Sequence, residues 1–600
     1  MLISRNQRMA TSRHVMKKPI NDARQTSRLR AGISLPPAPP AKRIHLILLL
    51  LLIFGFGGFG GFGLSNLHAQ APRLVVIIVI DQLRSDYLTR FRSRFGPGGF
   101  NRLLREGSVF ANCQYGYAAT ATAPGHAVLA TGSYPRHNGI VGNSWYDRGR
   151  RSRVPAAADE AYPLVRNFVA ENFLAGSPEA SSGGASPWAL EGTALGDELR
   201  LSNGGDSRVV AVSMKDRAAV FAGGKNPNAV FWFDVAAEGF LTSSYYTASL
   251  PGWLVQFNSN HSLETYTGKQ WNPLEGGAFE RRLELEQGPE GREKFWFDFG
   301  ATPFASQLQF DLAEAAVEAY QLGEDQAADL LWIALSSPDY LGHQVGPDSA
   351  LIEDMFLRID RQMEEFFSFL DRRVGLQNVI VGLSSDHGVA PLPEQAQAAR
   401  LGGGRIDSQK LTGEINETLV LRFGREDWIE SYVFPWIYLN HEAMERHSLD
   451  QELVARTAGE AALEQDGVVA YYTAGQLAGG AAEDSMRALY ARSYYPGRSG
   501  DLALRYAPFF VEAFPGGGTD HGSPYSYDRR VPLILWGSPF RAGVFHTATS
   551  PADLAPTLAA VLQINPPAAA TGRVLREALL PPASAGKQAT AARIEGVPHE

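Results

Sequence analysis

The sequence predicts an α/β protein with a mostly parallel central sheet flanked by helices and with insertions forming a cap. Three observations carry this expectation. Apolar, β-branched runs such as Arg73-Leu-Val-Val-Ile-Ile-Val-Ile80 read as strands buried on both faces, as in a parallel sheet covered by helices. Segments with apolar residues at helical spacing lie between such runs, and this alternation argues an α/β sheet. Three of the runs end at or just before a carboxylate: Asp81, Asp339 after a Ser-Ser-Pro link, and Asp386. In open α/β sheets ligands bind at the carboxyl ends of strands, and three acids there repel one another unless a cation sits between them.

The elements follow in order. After the Arg73–Ile80 strand, Phe100 to Glu106 reads as a short helix and Ser108 to Cys113 as a strand. Leu190 to Leu201 is helical in pattern, and Arg208 to Met214 is a further strand. Residues 240–300, rich in Trp, Tyr, Gly and Asn, show no clean period and read as an insertion or cap. Thr302 to Leu322 is helical, Asp329 to Ser336 a buried strand, and Ala350 to Phe369 a helix carrying Ile352, Met355, Phe356, Ile359, Met363 and Phe366 on one face. Asn378 to Leu383 is a strand leading into Ser384-Ser385-Asp386-His387. A second insertion follows, with a strand near Trp436 to Asn440 and a helix from Asp450 to Glu464. Val531 to Trp536 is a late strand, and Ala552 to Leu562 a late helix. No internal repeat is visible.

A chain of 600 residues is too long for one compact core. The expected organisation is a basic extension plus export signal at 1–69, one large domain at 70–580 with insertions at about 225–300 and 400–505, and a mobile, Ala- and Pro-rich tail at 581–600. The leader is read from its order. Lys and Arg residues ending at Lys42-Arg43 precede an apolar run, Ile44 to Leu64, then Leu67-His68-Ala69-Gln70-Ala71. Charge, apolar run and small residues are the order of an export signal, with cleavage after Ala69. This places the protein in the periplasm or outside the cell. An uncleaved anchor is the alternative, because the run is about 20 residues long. Met16 is an alternative start. Ten Lys and Arg against one acid precede Leu46, so with a whole-chain charge of −8 the remainder stands at about −17. Such acidity argues against a nucleic-acid partner. The single cysteine, Cys113, rules out an intramolecular disulfide and any multi-thiolate metal site.

Candidate chemistry begins at Thr120-Ala-Thr122-Ala-Pro-Gly-His126. A hydroxyl at the entry to a helix faces unsatisfied backbone N–H groups that favour an anion. The same stretch also reads as a Thr N-cap followed by a helical Pro. Asp339 and His343, at i and i+4 on a helical turn, point the same way and can grip one cation. Asp386-His387 sits at a strand-end turn, and His521 in a glycine-rich loop that admits close backbone approach. Imidazole and carboxylate without thiolate suit catalytic zinc. Counting the hydroxyl, the seven groups could serve two ions about 4 Å apart, an arrangement that clamps the attacking and leaving oxygens of a phosphoryl displacement.

The chain resembles the alkaline phosphatase superfamily, and is most similar to its monomeric bacterial branch with a Thr nucleophile, related to the type I phosphodiesterases. The motifs that carry the resemblance run from Val75 to about Leu575. They are Val-Ile-Asp81-Gln-Leu-Arg-Ser-Asp-Tyr, Thr122-Ala-Pro-Gly-His-Ala, Gly139-Ile-Val-Gly-Asn143, Ser213-Met-Lys215-Asp-Arg217, Ser337-Pro-Asp339-Tyr-Leu-Gly-His343, Ser385-Asp386-His387-Gly and Asp520-His521-Gly-Ser. The resemblance implies two Zn2+ ions, one held by Asp339, His343 and His521, the other by Asp81, Asp386, His387 and the Thr122 oxygen. It selects Thr122 over Thr120 as nucleophile, and it gives the non-bridging phosphoryl oxygens to Asn143, Lys215 and Arg217. It further implies a covalent phosphothreonine, small-molecule phosphate monoesters as substrates, and a monomer that meets a membrane only if the apolar run is uncleaved.

The leading expectation is thus an exported zinc phosphomonoesterase. A phosphodiesterase or nucleotide pyrophosphatase of the same superfamily would share the metals, Thr122 and Asn143, but the Lys215/Arg217 pair favours a doubly charged phosphate. A surface binding protein with an inactive enzyme fold is the third reading, against which the complete site positions speak.

Overall fold

All seven residues of the strand Leu74–Ile80 are fully buried. Alternation along it divides the run between two cores. Leu74, Val76, Ile78 and Ile80 enter one apolar cluster, while Val75, Ile77 and Val79 enter the other on the opposite face. Burial of each such side chain is worth about 1.5–3 kcal/mol, so this strand anchors both layers. The computed structural model describes residues 72–166, 183–479 and 485–580; the expected leader at 1–69 and tail at 581–600 lie outside the described residues. Among the described residues no helix is long and apolar enough to cross a membrane.

Five parallel strands form the middle of the main sheet, in the spatial order Val379–Ser384, Leu74–Ile80, Asp329–Leu335, Val209–Ser213 and Ala229–Asp234. Antiparallel strands flank them: Ile534–Trp536 on one side and Gly239–Ser243 on the other. Helices Pro303–Tyr320 and Ala350–Arg373 cover one face. Helices Thr122–Thr131, Asp216–Gly223 and Leu554–Leu562 cover the other. The expected sheet is therefore present, with a parallel middle flanked by antiparallel strands, and with Ser108–Phe110 and Gly543–Phe545 paired parallel at one edge.

Register matters for the site. Val79 pairs with Ala334 on one side and Ser384 on the other, so three strands end level, and Asp81, Ser336 and Ser385 leave the sheet at the same edge. The expected strand Asp329–Ser336 stops at Leu335, and Ser337–Val345 is a helix with Pro338 in its first turn, where a missing N–H costs nothing.

Several boundaries differ from the sequence reading. The helix expected from Leu190 begins at Leu195, because Gly192 takes a left-handed φ of 77°. The strand expected to reach Cys113 ends at Phe110, with only single bridges beyond it at Cys113 and Gln114. The range assigned to the first insertion holds two strands of the main sheet, Ala229–Asp234 and Gly239–Ser243. The aromatic pattern concealed them, since Phe231, Trp232 and Phe233 are all buried. Beyond them lie helices Gly252–Asn260 and Pro289–Gly300. The second insertion has its own core beneath a four-stranded antiparallel sheet made of Ile429–Val433, Trp436–Leu439, Leu502–Tyr506 and Val468–Thr473.

Candidate active site

The level strand ends bring two groups of donors together. Asp81, Asp386 and His387 place one ligand atom each within 4.8 Å of one another, and so do Asp339, His343 and His521. The first group is wholly buried, with His387 Nε2 3.3 Å from Asp81 Oδ1 and 3.6 Å from Asp386 Oδ2. In the second, His343 Nε2 lies 3.1 Å and His521 Nε2 3.9 Å from Asp339 Oδ1. The i, i+4 expectation holds because Asp339 and His343 share the helix Ser337–Val345.

The three histidines are oriented alike. His343 Nδ1 sits 2.8 Å from the Thr519 carbonyl, His387 Nδ1 2.9 Å from the Gly388 carbonyl, and His521 Nδ1 2.9 Å from the Thr120 carbonyl. A carbonyl can only accept, so each Nδ1 carries the proton and donates. Each Nε2 is then the nitrogen offered to the carboxylates, the arrangement that outer partners impose on metal-ligating imidazoles. Asp81 Oδ1, Asp386 Oδ2 and His387 Nε2 have no hydrogen-bond partner despite full burial. Orphaned donors and acceptors of this kind are costly, and a divalent cation satisfies all three at once. The residues fit the expected metal sites.

Protonation follows the same logic. Burial, then the charges of Asp339 and Asp386, push Asp81 well above the usual carboxylate range. Burial takes Asp386 up to about 6. It also acts on Asp339, but Lys215 and His343 outweigh it and hold that carboxyl well below its usual value. Burial lowers His387, and lowers His521 further with the help of His387 and His343. His343 is the exception: burial pulls it down, yet Asp339 and Asp520 lift it to about 10. A cation taking Nε2 of His343 must displace that proton.

Thr122 is the first residue of the helix Thr122–Thr131, and the cap position belongs to Ala121, which has no capping side chain. The Thr N-cap reading is thereby corrected: the helix begins at Thr122 itself, one residue earlier than a Thr122 cap would allow, and the Thr122 hydroxyl is not spent on capping. Gly125 sets the helix against the strand end, since a Cβ there would lie 2.4 Å from the Asp386 carbonyl oxygen. Asn143 Oδ1 accepts from the Ala123 backbone N–H at 2.8 Å, leaving its amide NH2 as the donor. Thr120 contributes its carbonyl to His521. Thr122, Asn143, Arg217, Asp339, His343 and His521 all line one cavity of about 440 Å³.

Lys215 and Arg217 both lie past the end of the strand Val209–Ser213. The strand stops at Ser213, Lys215 caps the helix Asp216–Gly223, and Arg217 lies in its first turn. The Lys215 ammonium bridges the two groups, 2.7 Å from Asp81 Oδ2 and 2.5 Å from Asp339 Oδ2.

Two residues escaped the sequence reading. Gln82 donates from Nε2 to Asp339 Oδ1 at 2.7 Å and from its backbone N–H to Asp386 Oδ1 at 3.3 Å. His126 is fully buried with neither ring nitrogen hydrogen-bonded, its Nε2 3.7 Å from Asp386 Oδ2. Its position four residues after Thr122 on a helix was the available signal.

Residues 75–504 match the family described as type I phosphodiesterase / nucleotide pyrophosphatase. The chain is 32% identical over 527 residues to alkaline phosphatase PafA of Elizabethkingia meningoseptica, covering 85% of this chain and 94% of that one. It is 31% identical over 538 residues to a protein of Myroides odoratus named a calcium-transporting ATPase, covering 86% and 96%. It is 30% identical over 527 residues to alkaline phosphatase PhoV of Synechococcus elongatus, covering 85% and 93%. The crystal structure of wild-type alkaline phosphatase PafA superposes with a TM-score of 0.78 at 31% identity, covering 85% of this chain and 99% of that one.

Proposed function

The chain belongs to the type I phosphodiesterase / nucleotide pyrophosphatase family, and we propose that within it this protein is an exported, monomeric phosphomonoesterase of the alkaline phosphatase type that uses two zinc ions and a covalent phosphothreonine. The observation that carries the proposal is the common orientation of His343, His387 and His521, each fixed through Nδ1 to a backbone carbonyl, with the helix-start Thr122 in the same cavity as His343 and His521. The relatives named alkaline phosphatases support the reaction class, and the order of charge, apolar run and small residues before Pro72 supports export.

Asp339, His343 and His521 would hold one ion, and Asp81, Asp386, His387 and the Thr122 oxygen the other. When bound, zinc makes hydroxyl and water oxygens nucleophilic near neutral pH and takes up charge at the leaving oxygen. The protein's own groups do the rest. Thr122 Oγ1 attacks phosphorus in line, its bond to phosphorus forms, and the bond to the alcohol oxygen breaks. Water then cleaves the phosphothreonine, releasing phosphate and restoring the hydroxyl. Asn143, pinned by Ala123 N–H to the first turn of the Thr122 helix, donates to a phosphoryl oxygen without adding charge. Arg217 can bind two oxygens at once. With Asp81 and Asp339 committed to cations, the Lys215 ammonium becomes available to the phosphoryl group as a point charge. Two cationic side chains favour a monoester dianion over a diester anion.

A diesterase is the second reading, favoured by the family description and by the apolar cavity wall of Val433, Phe434 and Pro435, which could seat a second ester group. Kinetics with an aryl phosphate monoester and its matched diester separate the two. A diester preference of about a hundredfold or more, roughly 3 kcal/mol in barrier, would overturn the monoesterase reading. Acid-quenched turnover analysed by mass spectrometry should find phosphate on Thr122, and Thr122→Ala should abolish both adduct and steady turnover. Ordinary turnover in that variant would refute the nucleophile assignment.

A further inference from the structure

We propose that Arg153 forms a second anion subsite in the active-site cavity, selecting substrates whose leaving group carries an additional carboxylate or phosphate. The inference rests on the phosphomonoesterase reading and names the substrate class of that site.

Arg153 lies on the hairpin made by strands Ser144–Asp147 and Ser152–Pro155. That hairpin begins directly after Asn143, the residue that ties itself to the Thr122 helix. Arg153 lines the same cavity as Thr122, Asn143 and Arg217. Its Nε donates to the Ser144 hydroxyl at 2.5 Å, so the guanidinium is held beside the phosphoryl-binding residue by a neutral group. The hydroxyl accepts one N–H and leaves both terminal nitrogens uncommitted. Among the described residues no carboxylate lies within 4 Å of that guanidinium.

This sets it apart from the other cations near the site. The Lys215 ammonium is committed to Asp81 and Asp339. The Arg217 guanidinium lies 3.8 Å from Asp216 in the turn that carries it to the phosphoryl group. Arg148, nearby on the same hairpin connection, is neutralised by Glu430 and Asp501. The terminal nitrogens of Arg148 are taken by those acids and by the Leu439 carbonyl, whereas Arg153, bonded through Nε alone, has its fork open in a cavity that holds the phosphoryl-binding residues. A guanidinium fork recognises carboxylate or phosphate through two parallel hydrogen bonds. The cavity has room for such a substrate, because about 440 Å³ falls within the roughly 300–1,000 Å³ usual for small-molecule sites. Its remaining wall is mixed, with Gln344 and Asp520 beside the rings of Phe297 and Phe434, and the two rings would face the carbon skeleton between the two anionic ends.

The test uses the mature chain and three substrates: phenyl phosphate, 4-carboxyphenyl phosphate and 1,4-phenylene bisphosphate. The wild-type enzyme is expected to favour the two esters that carry a second anionic group over phenyl phosphate by about tenfold in kcat/KM at low salt, chiefly through KM, with the preference shrinking as salt rises. Arg153→Gln should bring both ratios to about one, and Arg153→Lys should restore part of them. The carboxylate and bisphosphate arms show which anion the fork prefers. Ratios that stay the same in Arg153→Gln overturn the subsite. A wild-type enzyme that releases no phosphate from phenyl phosphate instead overturns the monoesterase reading, so the two failures are distinguishable.

Discussion

At the scale of single residues, the site depends on groups that no motif spacing singles out. Gln82 follows the strand-end Asp81 with a φ of 65°, a left-handed conformation that costs a non-glycine residue about 1 kcal/mol or more. That turn sends its amide to Asp339, a residue far along the chain, and its backbone N–H to Asp386. One residue thus braces a carboxylate of each donor group. Gln82→Gly relieves the strained φ while deleting the amide, so folding stability should change by less than about 1 kcal/mol. Turnover should nevertheless fall about tenfold, with faster loss of metal to a chelator; wild-type kinetics and metal retention would show that Gln82 braces nothing. Six of the seven proposed ligand positions were legible because Asp and His stand out at strand ends, at i, i+4 and in a glycine-rich loop, whereas Thr122 was preferred to Thr120 only through the family resemblance. Gln82 was not, because a left-handed turn and a cross-chain hydrogen bond leave no periodic trace. Asp528 is a second silent residue. It is fully buried, accepts from Ser523 N–H through Oδ2, and has no partner at Oδ1, so burial pushes its pKa up to about 7. The unfolded value is about 3.9. The folded state therefore binds more protons between these limits, and the stability contribution present below about pH 4 is lost as pH rises through 7. Asp528→Asn lacks this term. Its unfolding free energy relative to wild type, from denaturant titrations, should rise between pH 5 and pH 8, with a slope of at most about 1.4 kcal/mol per pH unit; parallel profiles would mean that Asp528 stays ionised in the fold.

At the scale of elements, the decisive contact is between the Thr122–Thr131 helix and the end of the strand Val379–Ser384. Every residue of that helix is buried, so it has no amphipathic stripe, and only its entry at the Thr122 stretch was legible in the sequence. The strands on either side were legible because a run such as Leu74–Ile80 is apolar without interruption. Their neighbours Ala229–Asp234 and Gly239–Ser243 were hidden in an aromatic segment with no clean period. Gly125 is what allows the close approach. A methyl group there would meet Asp386 backbone and Cβ at 2.4 to 2.6 Å, and neither can swing aside as a flexible side chain would. Gly125→Ala should therefore displace the helix from the strand end. Overpacking of this kind typically costs about 1–3 kcal/mol, and the displacement moves Thr122 relative to Asp386. Misplacement of a reacting group by about 1 Å can cost a hundredfold in rate. The variant should remain folded by circular dichroism yet lose about two orders of magnitude in kcat. An active Gly125→Ala enzyme would show that the helix can be seated in more than one way.

At the scale of the whole molecule, the question is what stabilises an assembly that brings three carboxylates together out of water. With one cysteine no internal disulfide can contribute. Asp81, Asp339 and Asp386 are nearly or wholly buried where three parallel strands end level, and Lys215 supplies one positive charge against them. The two apolar cores on either face of the sheet stabilise the strands themselves, but they do nothing for the charges at its edge. Those charges are best balanced by cations held between Asp/His groups that side chains from the main sheet, the Ser337–Val345 helix and the loop at His521 create together. A cation that binds only the folded chain adds RT ln(1 + [L]/Kd), about 4 kcal/mol per site at a thousandfold excess over Kd. Chelation should accordingly lower the melting temperature and abolish turnover together, and zinc added back should restore both. Elemental analysis should find two zinc ions in the purified chain. The expected fall is larger at pH 8 than at pH 5, because protonation of Asp81 and Asp386, both raised by burial, relieves part of the repulsion in acid once the metal is gone. The opposite pH trend, or a melting temperature indifferent to chelator at either pH, would mean that the Lys215 bridge and proton uptake already neutralise the cluster and that the bound ions contribute to catalysis without holding the fold.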